Sequence, residues 1–388
     1  MFRNEFEVLE QNGITAVALP RIADPSVIPL WFGEGDAVTP DFIREAAKRA
    51  LDDGLTFYDH PAGRADLREA IKTYLDRLYG INLAASRIVV PGSTMLSLFM
   101  ATRMALGPGD HGIIACPAWP NIDRSFQMTG GSFDFVRQRL EPGGWRLELD
   151  DVFEAVRPNT TTVFVNSPSN PTGWVMPSEE QRRLLDFCRE RGITIIADEV
   201  YHRNVFEGEV APSFLTIAAP DDPVIVVNGF SKAYAMTGWR LGWMIAPAGF
   251  EEQMDAYSEC CNTGAPNFIQ SAGMAALSGG ESFVREMREH YRAGRRSVME
   301  ILAPHPRIEL SEPVGAFYAF PRVHGLRNSL DFAQGLLAEE DVGVAPGYTF
   351  GPGNEDHFRI CFAKSRENLE TALHRIVRYL DRHDNDFG

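Results

Sequence analysis

Four side chains in this 388-residue chain carry a primary amine, Lys48, Lys72, Lys232 and Lys364; every other lysine-or-arginine cation is an arginine. Chemistry that needs an amine nucleophile has only these candidates. Lys232 lies in VIVVNGFSKAYAMTGWRLGWMIA, where apolar segments flank a Gly/Ser-containing turn, so its amine is expected at the edge of a buried sheet. Burial favours the neutral amine. An amine in that setting can form a Schiff base with an aldehyde cofactor and, once freed, move a proton at the reacting carbon. A helix-start lysine or a phosphate-binding lysine fits the same segment.

Other polar residues follow apolar runs in the same way. Asp198 and Tyr201 sit in TIIADEVYHRNVF, where a strand stops at a carboxylate. That carboxylate can pair with a protonated pyridine nitrogen while the Tyr201 hydroxyl bonds a ring phenolate. A helix N-cap and a metal carboxylate are the alternatives for Asp198, and Glu199 competes with it. Asn170, in VFVNSPSNPTG, can donate to the phenolate or serve a plain Asx or Pro-Gly turn. At Pro91-Gly92-Ser93-Thr94 a strand yields to the helical pattern MLSLFMATRMAL, so free amides and two hydroxyls can cradle a phosphate or cap the helix. Arg240 is a second phosphate clamp or a surface arginine. Trp119, after GIIACP, can stack on a flat ring or fill a core. In HFRICF, Arg359 alternates with Phe358, Ile360 and Phe362, and its fork suits an α-carboxylate or an internal salt bridge.

The elements that must position these residues are α/β in character. The runs RIVV, GIIAC, TVFVN, TIIAD, VIVVN and LGWMIA, between residues 87 and 246, lack polar alternation and are spaced for crossover helices, so a mostly parallel sheet covered on both faces is expected. One helix is expected over Glu179 to Arg191, capped by Ser178 and stopped by Gly192, and another over Asp41 to Leu51. Amphipathic stretches at 281–303 and 366–382 bracket short strands at 316–320 and 357–362. These predict a second, smaller α+β domain to which the segment before about residue 45 contributes. The terminal DRHDNDFG reads as a solvated tail.

A formal net charge of −16 and a sequence pI near 5.1 oppose binding to nucleic acid or anionic membranes. The five cysteines are odd in number and show no metal-ligand spacing, which fits a reducing compartment. The N-terminus lacks the apolar run of a signal peptide and no segment approaches 18 apolar residues, so a cytoplasmic protein is expected. Neither GxGxxG nor GxxxxGK occurs, which weakens a nucleotide-binding oxidoreductase reading.

Together, FYDHPAGRADLREAI, VVPGSTMLSL, CPAWPNI, NSPSNPTG, ADEVY, NGFSKAYAMTGWRLGW and the late FRICF resemble the fold-type I, class I/II pyridoxal-phosphate-dependent aminotransferases, from LWFGEGD at residue 30 to HFRICFA at 363. The resemblance implies a seven-stranded, mostly parallel mixed sheet between helices, with a small domain built from both chain ends. Its divisions would be 1–45 as small-domain segment and active-site cover, 46–284 as the cofactor-binding domain and 285–388 as the C-terminal small domain. It implies pyridoxal 5'-phosphate held as an aldimine by Lys232, with Asp198 on the pyridine nitrogen, Tyr201 and Asn170 on the phenolic oxygen and Trp119 stacking. Ser93, Thr94, Ser231 and Arg240 would bind the phosphate, with Tyr58 reaching across from the other subunit of a homodimer. Arg359 would hold the substrate carboxylate, and Gly33 would let the N-terminal segment approach substrate. No metal is implied.

The implied reaction is ping-pong transfer of an amino group between an L-amino acid and a 2-oxo acid. C–S β-lyase or other α-carbon chemistry is the alternative, and a non-catalytic cofactor-binding sensor a distant one. Three features depart from the family pattern: Gly229 where a phosphate-binding serine is common, Gly35 where proline is usual, and Cys260–Pro266 in place of a serine-rich approach to the next helix. Trp31, Phe32 and Tyr58 would make one pocket rim apolar. Aspartate or glutamate would need a cation beyond Arg359.

Overall fold

Alternate residues of the β-branched runs face opposite ways along an extended chain, so a run without polar alternation can be stable only where both faces are covered. That is the arrangement in the structure, a computed structural model that describes residues 2–383. The seven strands of the main sheet are β1 (Ile88–Gly92), β2 (His111–Cys116), β3 (Ser132–Arg137), β4 (Thr160–Asn166), β5 (Thr194–Asp198), β6 (Val224–Gly229) and β7 (Gly242–Ile245). Their order is β1-β7-β6-β5-β4-β2-β3. Only β7 runs against the others, antiparallel to both β1 and β6. Val163, Val165, Ile195 and Ala197 enter one core, whereas their neighbours Phe164 and Ile196 enter the core on the other face.

The sheet is the mixed seven-stranded one that the resemblance implies. Its edge strand β3 is absent from the six apolar runs, because SFDFVR sends Phe133 and Phe135 to one core while Asp134 faces out and pairs with Arg157. Helices α1 (Asp41–Asp52), α2 (Ala65–Tyr79), α3 (Thr94–Ala105) and α4 (Ser178–Arg191) cover the sheet. Gly192 ends α4 in the left-handed region at φ +65°, as expected. Ser178 does not cap it. The helix begins one residue early, after Pro177, and Ser178 is its first helical residue, with Glu179 and Glu180 facing the positive end of the helix dipole.

A second core gathers Ile14, Val17, Leu30 and Trp31 with residues from Tyr291 to Leu380. Its sheet has β8 (Tyr318–Ala319), β9 (Ala345–Pro346) and β10 (Phe358–Cys361), with β10 between the other two. Ile28–Pro29 pairs in parallel with Val342–Gly343, which ties the N-terminal segment to this core. Helix α5 (Glu281–Ile301) passes between the units, burying Val284 in the large core and Tyr291 and Val298 in the small one. Helix α6 (Arg366–Arg382) packs against it along an apolar face that includes Leu369, Leu373 and Ile376. Asp381 and Arg382 belong to α6 rather than to a tail, and residues 384–388 of the expected tail lie outside the described residues.

The small core is closely fitted where the N-terminal segment enters. Trp31 is 1% exposed, and a Cβ at Gly343 would lie 2.0 Å from its ring. Gly343→Ala is therefore expected to lower stability by about 1–3 kcal/mol through overpacking, outweighing the entropic gain that alanine normally brings. Chemical denaturation of the two proteins measures this; an unchanged or raised midpoint would refute the fit.

Candidate active site

The strands that run in one direction end on one side of the sheet, where open α/β sheets form their clefts. Trp119 follows β2, Asn170 follows β4, Asp198 is the last residue of β5 and Lys232 stands three residues past β6. With Gly33, Thr94, Tyr201, Ser231, Arg240 and Arg359 they line one cavity of about 290 Å³. Ser93 and Tyr58, the other two residues singled out from the sequence, do not line it.

Lys232 separates from the other lysines by its partners. Lys48 pairs with Glu45 at 2.7 Å, Lys72 with Asp76 at 2.7 Å and the buried Lys364 with Asp36 at 3.0 Å. Lys232 has no carboxylate at ion-pair distance among the described residues, and its Nζ donates to the Gly33 carbonyl at 2.7 Å. It stands in a turn rather than at a helix start. Burial pushes the amine down to about 8, with Cys361 and Glu34 opposing and Arg359 and Arg240 assisting.

Asp198 is the complementary case. Its Oδ1 accepts from the Val200 N–H at 3.2 Å, and burial pushes the carboxyl up to about 7 against that bond and the nearby Lys232. No helix follows it, so it caps none. Glu199 does not compete, because its carboxylate turns away from the cavity to accept from the Phe214 N–H at 3.0 Å.

Asn170 and Arg359 are joined. The Asn170 N–H donates to Asn166 Oδ1 at 2.8 Å, and Asn166 Nδ2 donates to the Asp198 carbonyl at 3.0 Å, so two strand ends hold the turn open. Asn170 Oδ1 accepts from Arg359 at 3.1 Å, which leaves its amide donors for the cavity. Arg359 is 1% exposed, also donates to the Trp31 carbonyl, and has no carboxylate at ion-pair distance among the described residues. That replaces the internal salt bridge offered by the sequence with a buried guanidinium that lacks a counter-anion.

The expected phosphate end explains Gly229. Gly92, Gly242 and Gly229 stand in register across β1, β7 and β6. A Cβ at Gly229 would lie 2.2 Å from Thr94 Oγ1, and one at Gly242 would lie 2.5 Å from the Thr94 nitrogen. A serine at 229 would occupy the place of the Thr94 hydroxyl, so the departure is the condition for α3 to set its N-terminus down on the sheet. Ser93 caps α3, its Oγ accepting from the Leu96 N–H at 3.1 Å. Arg240 adopts a left-handed backbone at φ +57° and anchors one Nη on the Thr237 carbonyl, leaving the rest of its guanidinium at the cavity. Gly35 is similarly constrained, since a Cβ there would meet the Ala363 carbonyl at 2.8 Å.

Tyr58 is 89% exposed on the outer surface, next to the equally exposed Phe57. The segment Cys260–Pro266 forms none of the cavity wall in this chain; Asn262 instead donates to the Pro91 carbonyl at 2.7 Å, bracing the loop before Ser93. Sequence reasoning missed Tyr318, whose hydroxyl lies 2.6 Å from that of Tyr201, and the Asn12–Asn121 amide pair, 3.1 Å apart on the cavity wall. The alternation in AFYAF signalled a strand but not which aromatic faces the cavity.

A carboxylate without a cation, an amine without a carboxylate and a helix N-terminus with a free arginine around one cavity match the ring nitrogen, aldehyde and phosphate of pyridoxal 5'-phosphate. The unpaired Arg359 adds a place for a substrate anion. The family model for aminotransferase class I and II matches residues 27–376. The chain is 34% identical to an aspartate aminotransferase of Pyrococcus horikoshii, over 92% of this chain and 91% of that one. It is also 34% identical to aromatic-amino-acid aminotransferase 2 of Thermococcus litoralis, over 91% and 92%. A solved Thermus thermophilus aspartate aminotransferase superposes with a TM-score of 0.90 at 32% identity, over 97% of this chain and 99% of the other. The chain therefore belongs to the class I and II aminotransferases, enzymes that depend on pyridoxal 5'-phosphate.

Proposed function

We propose that Lys232 is the covalent anchor and proton carrier of this aminotransferase, working with Asp198, Tyr201, Asn170 and Arg359. The observation that carries this reading is the state of Lys232, the one lysine whose amine faces a cavity with no carboxylate bound to it. When bound, pyridoxal 5'-phosphate supplies an aldehyde that takes up the amino group and a ring that accepts the electron pair left on the α-carbon. Asp198 would hold the proton on the ring nitrogen, while Tyr201 and Asn170 would donate to the ring oxygen. Trp119 supports the ring face. Thr94, Ser231, Arg240 and the α3 N-terminus neutralise the phosphate, with Ser93 shaping that terminus as its cap.

Arg359 binds the α-carboxylate and so fixes the α-carbon relative to the amine. Lys232, freed as an amine, would move the proton taken from the substrate α-carbon. Gly33 and Trp31 line the cavity from the N-terminal segment. With water supplying the oxygen, the first amino acid would leave as its oxo acid and its amino group stay behind until a second oxo acid takes it up, which is ping-pong transfer.

The exposed Phe57 and Tyr58 support a homodimer in which Tyr58 reaches the partner's phosphate site. The two cores support a division into 1–45 with 285–388 as small domain and 46–284 as cofactor-binding domain. Five free cysteines support a reducing, cytoplasmic location. Among the described residues no helix is long and apolar enough to cross a membrane.

The cations lining the cavity are Lys232, Arg240 and Arg359, and each has an assignment above. A side-chain carboxylate would find no further cation from this subunit, while Ile14, Phe32 and Met95 offer apolar wall. These features favour amino acids with apolar or aromatic side chains, in line with the relative named for aromatic substrates rather than those named for aspartate.

Three experiments test the reading. Borohydride reduction of the holoenzyme should attach the cofactor to Lys232, read by peptide mass, and Lys232→Ala should reduce kcat by about a thousandfold or more; label on another lysine would overturn the assignment. An amino-acid panel should give kcat/KM at least about tenfold higher for phenylalanine or leucine than for aspartate, with pyridoxamine phosphate and oxo acid as products. Ammonia without pyridoxamine phosphate would favour β-lyase chemistry. The third concerns pH. Because Asp198 has a raised folded-state pKa, its contribution to stability falls as pH climbs from the unfolded value near 3.8 through about 7. Apo Asp198→Asn should therefore match the wild type near about pH 4 and exceed it by up to a few kcal/mol near about pH 8, with activity lost. Equal stabilities at both pH values would show that the carboxylate is not strained by burial.

A further inference from the structure

Tyr318 is fully buried on β8, in register with Cys361 of β10, yet part of it lines the cavity. Its hydroxyl lies 2.6 Å from the Tyr201 hydroxyl, with the two rings edge-on at 5.5 Å and 85°. The Arg359 guanidinium sits over the Tyr318 ring, 4.7 Å from its centroid. A Cβ at Gly33 would come within 2.1 Å of the Tyr318 oxygen, so the missing side chain at 33 is what admits the hydroxyl to this place. One residue thus touches the phenol assigned to the cofactor, the guanidinium assigned to substrate and the segment whose carbonyl holds Lys232.

The direction of the hydroxyl pair follows from what each oxygen can reach. Tyr201 is the one acceptor within hydrogen-bond distance of the Tyr318 hydroxyl among the described residues. If Tyr201 donated to it, the Tyr318 proton would be buried without a partner, which is costly. If Tyr318 donates, both protons are used, because the Tyr201 O–H is free to point into the cavity.

We propose that Tyr318 is a positioning residue for transamination: it donates to Tyr201 and thereby aims the Tyr201 O–H at the cofactor's ring oxygen. A donor that is itself hydrogen-bonded as an acceptor is polarised and donates more strongly. Negative charge on the ring oxygen is stabilised accordingly, and the proton that Lys232's nitrogen shares with that oxygen in the resting holoenzyme is lost at lower pH. The inference rests on the assignment of this cavity to pyridoxal 5'-phosphate and of Tyr201 to its ring oxygen.

The test is a pH titration of the visible absorption band of the resting holoenzyme. The ionisable groups around Tyr201 and Lys232 are Asp198, Arg359, Cys361, Glu34 and Arg240, and none is altered in the variants. Tyr318→Phe should raise the midpoint by about half a unit to one unit, the scale of one hydrogen bond. Tyr201→Phe should raise it further, and the double variant should match Tyr201→Phe alone, because Tyr318 acts only through Tyr201. Tyr318→Phe keeps the ring under Arg359, so KM for the amino donor should change less than about twofold while kcat falls severalfold. Gly33→Ala, which displaces the hydroxyl without altering Tyr318, should move the midpoint the same way and serves if Tyr318→Phe does not fold. A midpoint unmoved in these variants, or shifts that add in the double variant, would overturn the proposal. Absence of a borohydride-sensitive visible band in the wild type would overturn the cofactor assignment, and the inference with it.

Discussion

Three ionisable side chains, Lys232, Asp198 and Arg359, are held inside protein without a salt-bridge partner, and this is the constraint around which the structure is arranged. A buried charge left unpaired is expensive, and a protein assembled for stability alone would pair it or replace it. Here each is partly compensated by neutral dipoles: the Gly33 carbonyl for Lys232, the Val200 N–H for Asp198, and the Trp31 carbonyl and Asn170 amide for Arg359. The remaining electrostatic demand is directed into the cavity. On the proposed assignment, a cofactor with a protonatable ring nitrogen and an aldehyde, and a substrate with a carboxylate, would satisfy it on binding, so the cost to the empty protein would become affinity and orientation in the loaded one.

Close approach is the second theme, and it is achieved by leaving side chains out. The in-register row Gly92, Gly242 and Gly229 clears the floor on which α3 sets its N-terminus. Gly33 clears space for the Tyr318 hydroxyl, and Gly343 for the Trp31 ring. At Gly229, Gly242, Gly33 and Gly343 a single methyl group would collide with Thr94, Tyr318 or Trp31. On the proposed assignment, the dipole of α3 and the rigid sheet would present fixed donors to a phosphate.

The site also depends on the meeting of two cores. Tyr201 follows a strand of the large sheet but packs with the small core, among Phe317, Tyr291 and Tyr318. Arg359 reaches the cavity from β10, and the N-terminal segment reaches it through its pairing beside Trp31. Cavity groups from the large unit and from the small unit are therefore coupled by direct contact, through Asn170 with Arg359 and Tyr201 with Tyr318.

Much of this was legible in the residues themselves. A β-branched run that ends in Asp198, a turn that carries Lys232 after VIVVN, and the stacked turns at Asn170 are local patterns, and local backbone preferences and burial periodicity determine them before any tertiary contact forms. The edge strand Ser132–Arg137 was hidden because one half-exposed face tolerates Asp134, and Ser178 reads as a cap although the helix begins on it. What only the tertiary structure decided was which competing groups face the cavity and what they are left without. The Glu199 carboxylate turned to the Phe214 N–H, Lys364 paired with Asp36, an unpaired rather than salt-bridged Arg359, and Tyr318 behind Tyr201 all depend on neighbours distant in the chain. Burial and partnership are properties of the space between elements, so a side chain's chemistry is offered by its sequence and conferred by its packing.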